Sequence, residues 1–220
     1  VAAWYIEGLI RIYGIPGLRD GIKLTRRLVE DHWEGLYPES DEDGIETKVA
    51  PLIGLNGDGG DGTLLTPIRN AGITAEGDYG DFSFWQFQQA RDADRIEDAD
   101  AKTERHDALG FSLEIIGNTV AASDTAWCLD MIATIEECIE DFKSYNNVLR
   151  EHCKHEAPPY TNINSLLEEV LRTARFVYKD KLEEAASVAQ QEDEANAADE
   201  TANIVDASNN SGGSALMGVT

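Results

Sequence analysis

The sequence predicts an all-α fold: a multi-helix bundle with a helical hairpin at the N-terminus, a loop-rich middle and a disordered acidic C-terminal tail. Three observations predict it. Apolar residues recur every three or four positions near the start and over residues 109–182, the spacing of one helix face. No run of alternating β-branched residues argues for a sheet. From Glu183 onward Ala, Glu, Gln, Asn, Ser and Gly dominate, with no Lys, Arg or aromatic residue, and such a composition buries too little apolar surface to order itself.

Taken in order, residues 1–13 carry Trp4, Leu9, Ile10 and Tyr13 and read as the end of a buried helix, which Gly14, Pro16 and Gly17 break. A second helix follows over about residues 18–35, its stripe formed by Leu18, Ile22, Thr25, Val29, His32 or Trp33, and Leu36. Two helices joined by so short a turn form an antiparallel pair. Residues 37–44 (YPESDEDG) are an acidic loop, Ile45 to Leu55 a shorter helix, and residues 56–62 (NGDGGDG) a flexible break. Residues 63–83 read as irregular. Ser83 to Arg91 is a short helix, and Phe82, Phe84, Trp85 and Phe87 are expected to fill the gap between the hairpin and the later helices rather than form an exposed patch. Residues 92–107, almost all polar, read as a solvated loop or frayed helix. Three strong helical patterns close the folded part. Leu109, Leu113, Ile116 and Val120 share one face. A long helix carries Cys128, Met131, Ile132, Ile135, Cys138, Ile139, Phe142, Tyr145 and Leu149, with Asp124 as its cap and Pro158 and Pro159 as its stop. The last runs from about Ile163 past Leu182 through Leu166, Val170, Ala174, Val177 and Tyr178. The organisation expected is one helical domain over 1–182 (hairpin region 1–57, loop-rich 58–107, helices 108–182) and a flexible linker or tail over 183–220.

The bulk composition narrows the function. The 220 residues carry 42 acids against 18 Lys and Arg, a net charge of −24. That field repels phosphate backbones and anionic membranes, so nucleic acid and direct membrane insertion are not expected, and basic partners are favoured. No apolar run reaches bilayer length, and the first residues lack the features of a signal peptide. The chain opens on Val1 and reads as a piece of a larger protein. Three Cys suggest no disulfide framework and fit reduced thiols in a cytosolic compartment.

Candidate chemistry is sparse. The run Gly54 to Thr63 lacks the Lys that a phosphate loop needs, and Asp58 and Asp61 would repel phosphate. Glu39, Asp41, Asp43 and Gly44 resemble the start of a calcium loop, yet its twelfth position, where a bidentate Glu belongs, is Ala50 and its eighth is Glu46. His152, Cys153 and His155 near Cys138 supply too few convergent ligands for zinc. Cys153 beside His152 points another way, as helix neighbours do. No catalytic residue, cofactor or metal site is expected. A divalent-cation-binding domain using the acidic loops is the remaining non-scaffold alternative.

The stretch from Val1 to Leu55 is more specific. Its features are Ala2-Ala3-Trp4, then Gly14-Ile15-Pro16-Gly17-Leu18-Arg19-Asp20-Gly21, then Trp33, Tyr37-Pro38 and Asp41-Glu42-Asp43-Gly44. This resembles the ImpA-type N-terminal domain of the TssA family, from bacterial type VI secretion systems. The family pattern is a helix, the turn G-x-P-G-L-x-D-G-L, a second helix ending near Trp, and P-x-x-D-E-D-G. Gly14, Pro16, Gly17, Leu18, Asp20, Gly21, Trp33, Pro38, Asp41, Asp43 and Gly44 then form a structural motif: glycines and proline shape the turn, and the acids satisfy first-turn amides of the next helix. Ser83 to Ala90 and Ala157-Pro158-Pro159 are similar to later family segments. The resemblance implies a helical bundle, a cytoplasmic location in a Gram-negative bacterium, and a non-enzymatic assembly role. It implies binding to baseplate, tube, sheath or membrane-complex proteins to prime or coordinate tail polymerisation, the alternative being a sheath-capping accessory with the same N-terminal domain. The full-length parent is expected to be homo-oligomeric through a C-terminal domain that this sequence lacks.

Overall fold

The computed structural model describes residues 1–40, 42 and 44–191 and divides into two compact units, Val1–Lys179 and Asp180–Thr220. In the first unit the described residues form helices and loops, with isolated bridges between Gly72 and Ser83 and between Gly77 and Gly80 but no strand. The described part of the second unit, residues 180–191, is helical. Residues 192–220, most of the stretch read as a tail, lie outside the described residues.

Helix α1 (Ala2–His32) is interrupted at Gly14, where φ is 62° and ψ −144°. Glycine adopts that backbone without steric cost, and Pro16 opens the second limb, where an amide hydrogen has no helical partner anyway. The limbs fold back on each other as an antiparallel pair. A β-carbon on Gly21 would sit 3.1 Å from the Ile6 Cα, and one on Gly17 would overlap the Leu9 carbonyl oxygen. The small residues therefore let two backbones meet, and Ile6, Ile10, Leu18, Ile22 and Val29 are buried around that contact.

The central element is α7 (Thr125–Cys153), which packs chiefly on α1 and next on α8 (Thr161–Val177). Its whole expected stripe is buried, from Cys128 to Leu149. The Asp124 carboxylate accepts from the Trp127 amide at 3.1 Å, as a helix cap. The helix stops before the prolines: Lys154 takes φ 54° and a 3-10 turn, Lys154–Glu156, follows. In α8, Leu166, Leu167, Val170 and Ala174 are buried, and the helix ends at Tyr178, short of Leu182. The buried Tyr178 hydroxyl donates to the Ile73 carbonyl.

The middle is more ordered than composition suggests. Helix α2 (Glu46–Asn56) ends in a closed loop. The Thr63 and Leu64 amides reach back to the Gly54 and Leu55 carbonyls, and a β-carbon on Gly57 or Gly62 would strike backbone. Gly57 and Gly62 thus serve close packing, while Gly59 and Gly60 face open space, and the backbone bonds that close the loop correct the reading of residues 56–62 as a flexible break. Within residues 63–83, expected to be irregular, α3 (Leu65–Asn70) buries Leu65, Pro67 and Ile68. Helix α4 (Phe84–Asp94) starts with a capping box in which Ser83 and Gln86 exchange hydrogen bonds. Phe82, Phe84 and Phe87 are buried as expected, whereas Trp85 stays 45% exposed.

The polar stretch after α4 becomes α5 (Ala99–Leu109), in which no residue is buried. Gly110, at φ 73°, ends it and separates it from α6 (Leu113–Ala122). The face read from Leu109 to Val120 is therefore split between two helices, and only Ile116, Thr119 and Val120 of α6 are buried. No described helix is long and apolar enough to cross a membrane.

Candidate functional site

The residues of the N-terminal motif divide by position. Gly14, Pro16, Gly17 and Gly21 shape the hairpin, and Leu18 is completely buried beneath it. Asp20 lies at the surface and accepts from Arg19 Nε at 2.9 Å. Trp33 sits in a 3-10 turn (Trp33–Gly35), stacked on His152 with centroids 4.5 Å apart and planes at 13°. Lys48 Nζ lies 5.0 Å from the centre of the same ring, a cation–π contact. One tryptophan thus joins the ends of α1 and α7 to the start of α2. Pro38 follows a cis peptide bond and Gly44 takes φ 84°. Asp41 and Asp43 lie outside the described residues, and with them the acidic loop's capping and cation readings.

The first limb of α1 is apolar on two opposite sides. Ala3, Ile6 and Ile10 face the second limb and are buried. The other face carries Trp4, Tyr5 and Ile12 at 80%, 50% and 72% exposure, and Tyr13 at the turn is 64% exposed. A helix in a globular domain keeps one apolar stripe for its core. A second apolar stripe in solvent is a candidate contact surface. Beside the turn lies a cleft of about 440 Å³, where Tyr13, Pro16 and Trp127 meet Glu76, Asp81 and Asp130.

Charge pairing between helices went unread in the sequence, although its signal was there: Arg19, Lys23 and Arg26 share a face of α1, and Glu137 and Asp141 share a face of α7. Lys23 Nζ reaches Glu137 at 2.7 Å and Arg26 Nε reaches Asp141 at 3.4 Å. The hydrogen bond between them raises the Lys23 pKa and lowers that of Glu137, against a smaller opposing effect of desolvation. On the other flank, Lys143 of α7 binds Glu168 of α8 at 3.1 Å. Asn56 was missed too. It is buried at the end of α2; its Oδ1 accepts from the Ile163 amide at 3.0 Å and its Nδ2 donates to the Gly57 carbonyl at 3.0 Å.

Nucleophilic groups are shielded rather than poised. All three Cys are buried thiols. Burial pushes Cys138 up to about 12 and raises Cys153 and Tyr145 as well, opposite to what an attacking thiolate requires. His152 is committed to Trp33, and the His155 side chain is 87% exposed. Among the described residues no group of three His, Cys, Asp or Glu side chains converges to hold a metal.

Comparison with known proteins agrees with this geometry. Residues 1–57 match the family model described as ImpA, N-terminal, type VI secretion system. Among solved structures, the chain is similar to the N-terminal domain, including the conserved ImpA N-terminal region, of the TssA component of the type VI secretion system from Burkholderia cenocepacia. The identity is 21% and the TM-score 0.71, over 82% of this chain and 70% of that one. No curated protein matches the chain. The coordinate likeness establishes a common fold, and the sequence match covers the hairpin and the elements up to the end of α2. Residues 1–57 therefore match the ImpA N-terminal family model, within a helical fold similar to that of the TssA N-terminal domain.

Proposed function

We propose that this chain is a non-enzymatic assembly component of a type VI secretion system, working in the cytoplasm. It binds baseplate, tube, sheath or membrane-complex proteins and so primes or coordinates tail polymerisation. The observation that carries this reading is the outward apolar face of α1, where Trp4, Tyr5 and Ile12 stand in solvent on the region that matches the family model. Aromatic residues of this kind anchor protein interfaces, because each covers a large area at little conformational cost. The rest of the hairpin supports the role: its limbs are locked by backbone contact, so the face is presented on a rigid element.

The test is binding of the full chain to purified baseplate, tube, sheath and membrane-complex proteins from the same bacterium. Wild type is expected to retain at least one of them, and a Trp4→Asp, Ile12→Asp variant to lose it while keeping its helical circular dichroism. Retention of none, or equal retention by the variant, overturns the proposal.

A further inference from the structure

A second surface, unrelated to the hairpin face, lies between α4 and α8. It is a groove of about 470 Å³ lined by Phe84, Phe87 and Arg91 from one helix and Glu169, Arg172 and Phe176 from the other. We propose that this groove binds an acidic amphipathic segment of a partner protein, seating its apolar side chains against Phe176 and its carboxylates on Arg91 and Arg172.

The local charge is the reverse of the whole. In a chain with 42 acids and 18 bases, this groove offers two arginines against one carboxylate. Both arginines have donors to spare. The Arg91 side chain is 43% exposed, so its outer nitrogens can meet a ligand, while its Nε is buried without a hydrogen bond and lies 4.0 Å from the Asp92 carboxylate. Arg172 donates no hydrogen bond among the described residues, although its charge is felt by Glu168 one turn back, whereas Arg175, on the next turn, is bound to Glu136. A guanidinium so placed accepts a carboxylate in forked geometry. The net charge of −24 does not forbid an acidic ligand, because salt screens charges beyond about 8 Å at physiological ionic strength and contact pairs decide.

The shape fits a helix. Residues 84, 87 and 91 on α4, and 169, 172 and 176 on α8, each follow the spacing of one helix face and extend over about 10 Å. A ligand helix that presents side chains at i, i+3 or i+4, and i+7 can follow either face. Phe176, 71% exposed, meets Phe87 edge-on at 6.2 Å, so its ring is held upright at the rim.

The experiment pans the full chain against a random peptide library displayed on phage, then measures fluorescein-labelled winners by anisotropy. Enriched peptides are expected to carry Leu, Phe or Trp one helical turn from Asp or Glu. Arg172→Glu and Phe176→Asp should each weaken binding about tenfold or more, while Trp4→Asp leaves it unchanged. Replacing the peptide's acids with Lys should restore binding to Arg172→Glu. No enrichment, neutral or basic winners, or winners indifferent to Arg172→Glu overturn the proposal. Because both side chains are exposed, unchanged melting of the variants separates lost binding from lost fold. Failure here leaves the hairpin-face proposal standing, since that face is tested by its own variants.

Discussion

Replacing Asn56 with Ala removes a cap that one helix lends to another. The first turn of α8 has no side-chain cap of its own; Tyr160 precedes it and offers none. Asn56 Oδ1 takes the Ile163 amide instead, and the Asn56 carbonyl accepts from Asn162 Nδ2 at 3.1 Å. Losing a helix cap costs about 1 kcal/mol, and losing the partly buried bond to the Gly57 carbonyl costs about 1 kcal/mol more. If the Ile163 amide then finds no water, the total rises to about 4 kcal/mol. For a domain of this size each kcal/mol lowers the melting temperature by about 2 to 4 °C, so Asn56→Ala should melt about 4 to 8 °C below wild type. Asn162→Ala, which loses one partly exposed bond, should fall less, and Asn164→Ala, which loses only a bond to the partly exposed Glu168, should stay near wild type. Thermal unfolding followed by far-UV circular dichroism reads all three. If Asn56→Ala melts with wild type, or no lower than Asn162→Ala, the cross-helix cap is not what fixes the start of α8.

Three other outcomes are expected. Gly17→Ala forces a β-carbon into the Leu9 carbonyl and should cost about 2 to 4 kcal/mol by urea unfolding. Gly14→Ala meets open space but keeps φ at 62°, so it should lose only the strain of about 1 to 3 kcal/mol. Iodoacetamide at neutral pH should leave Cys138, raised to about 12 by burial, unmodified in the native protein and label it in urea; peptide mass spectrometry would show either. The lowered pKa of Glu137, from an ordinary 4.5, adds stability that is present above the unfolded value and lost as pH falls through the folded one. Lys23→Ala should flatten that acid limb of a pH–stability curve by lowering stability slightly near neutrality and meeting wild type at low pH, the difference being small because both side chains are nearly half exposed.

Where a helix face repeats for several turns, the fold was legible. The stripe of α7 and the hairpin with its Gly-Ile-Pro-Gly turn follow directly from spacing and backbone freedom. What escaped was set by tertiary contact. Residues 56–62 look loose by composition, yet Gly57 and Gly62 exist to admit another backbone. Helix α3 is too short for periodicity to announce it, and burial of Leu65, Pro67 and Ile68 holds it. Leu109 and Leu113 keep helical spacing across Gly110, so the pattern hid a break that the left-handed glycine makes. At the candidate surface the aromatic richness of residues 1–13 was plain. Its division into an inner and an outer face required the second limb, which shows which side is covered. Asn56 gives no signal at all in sequence, because its partner lies a hundred residues on.

Helix α5 has a consequence of its own. It is fixed by its ends: the Asp98 carboxylate on the Ala101 amide at 2.8 Å, Lys102 Nζ on the Asp94 carbonyl at 2.9 Å, and Gly110 at the close. Eleven residues are too few to persist as a helix in water by themselves, and none of these is sheathed by the core. Such a segment melts and reforms while its neighbours stand, so its amides will trade hydrogen for deuterium well before those of α1 or α7. The same independence makes it a tolerant place to splice in an epitope or a fluorophore.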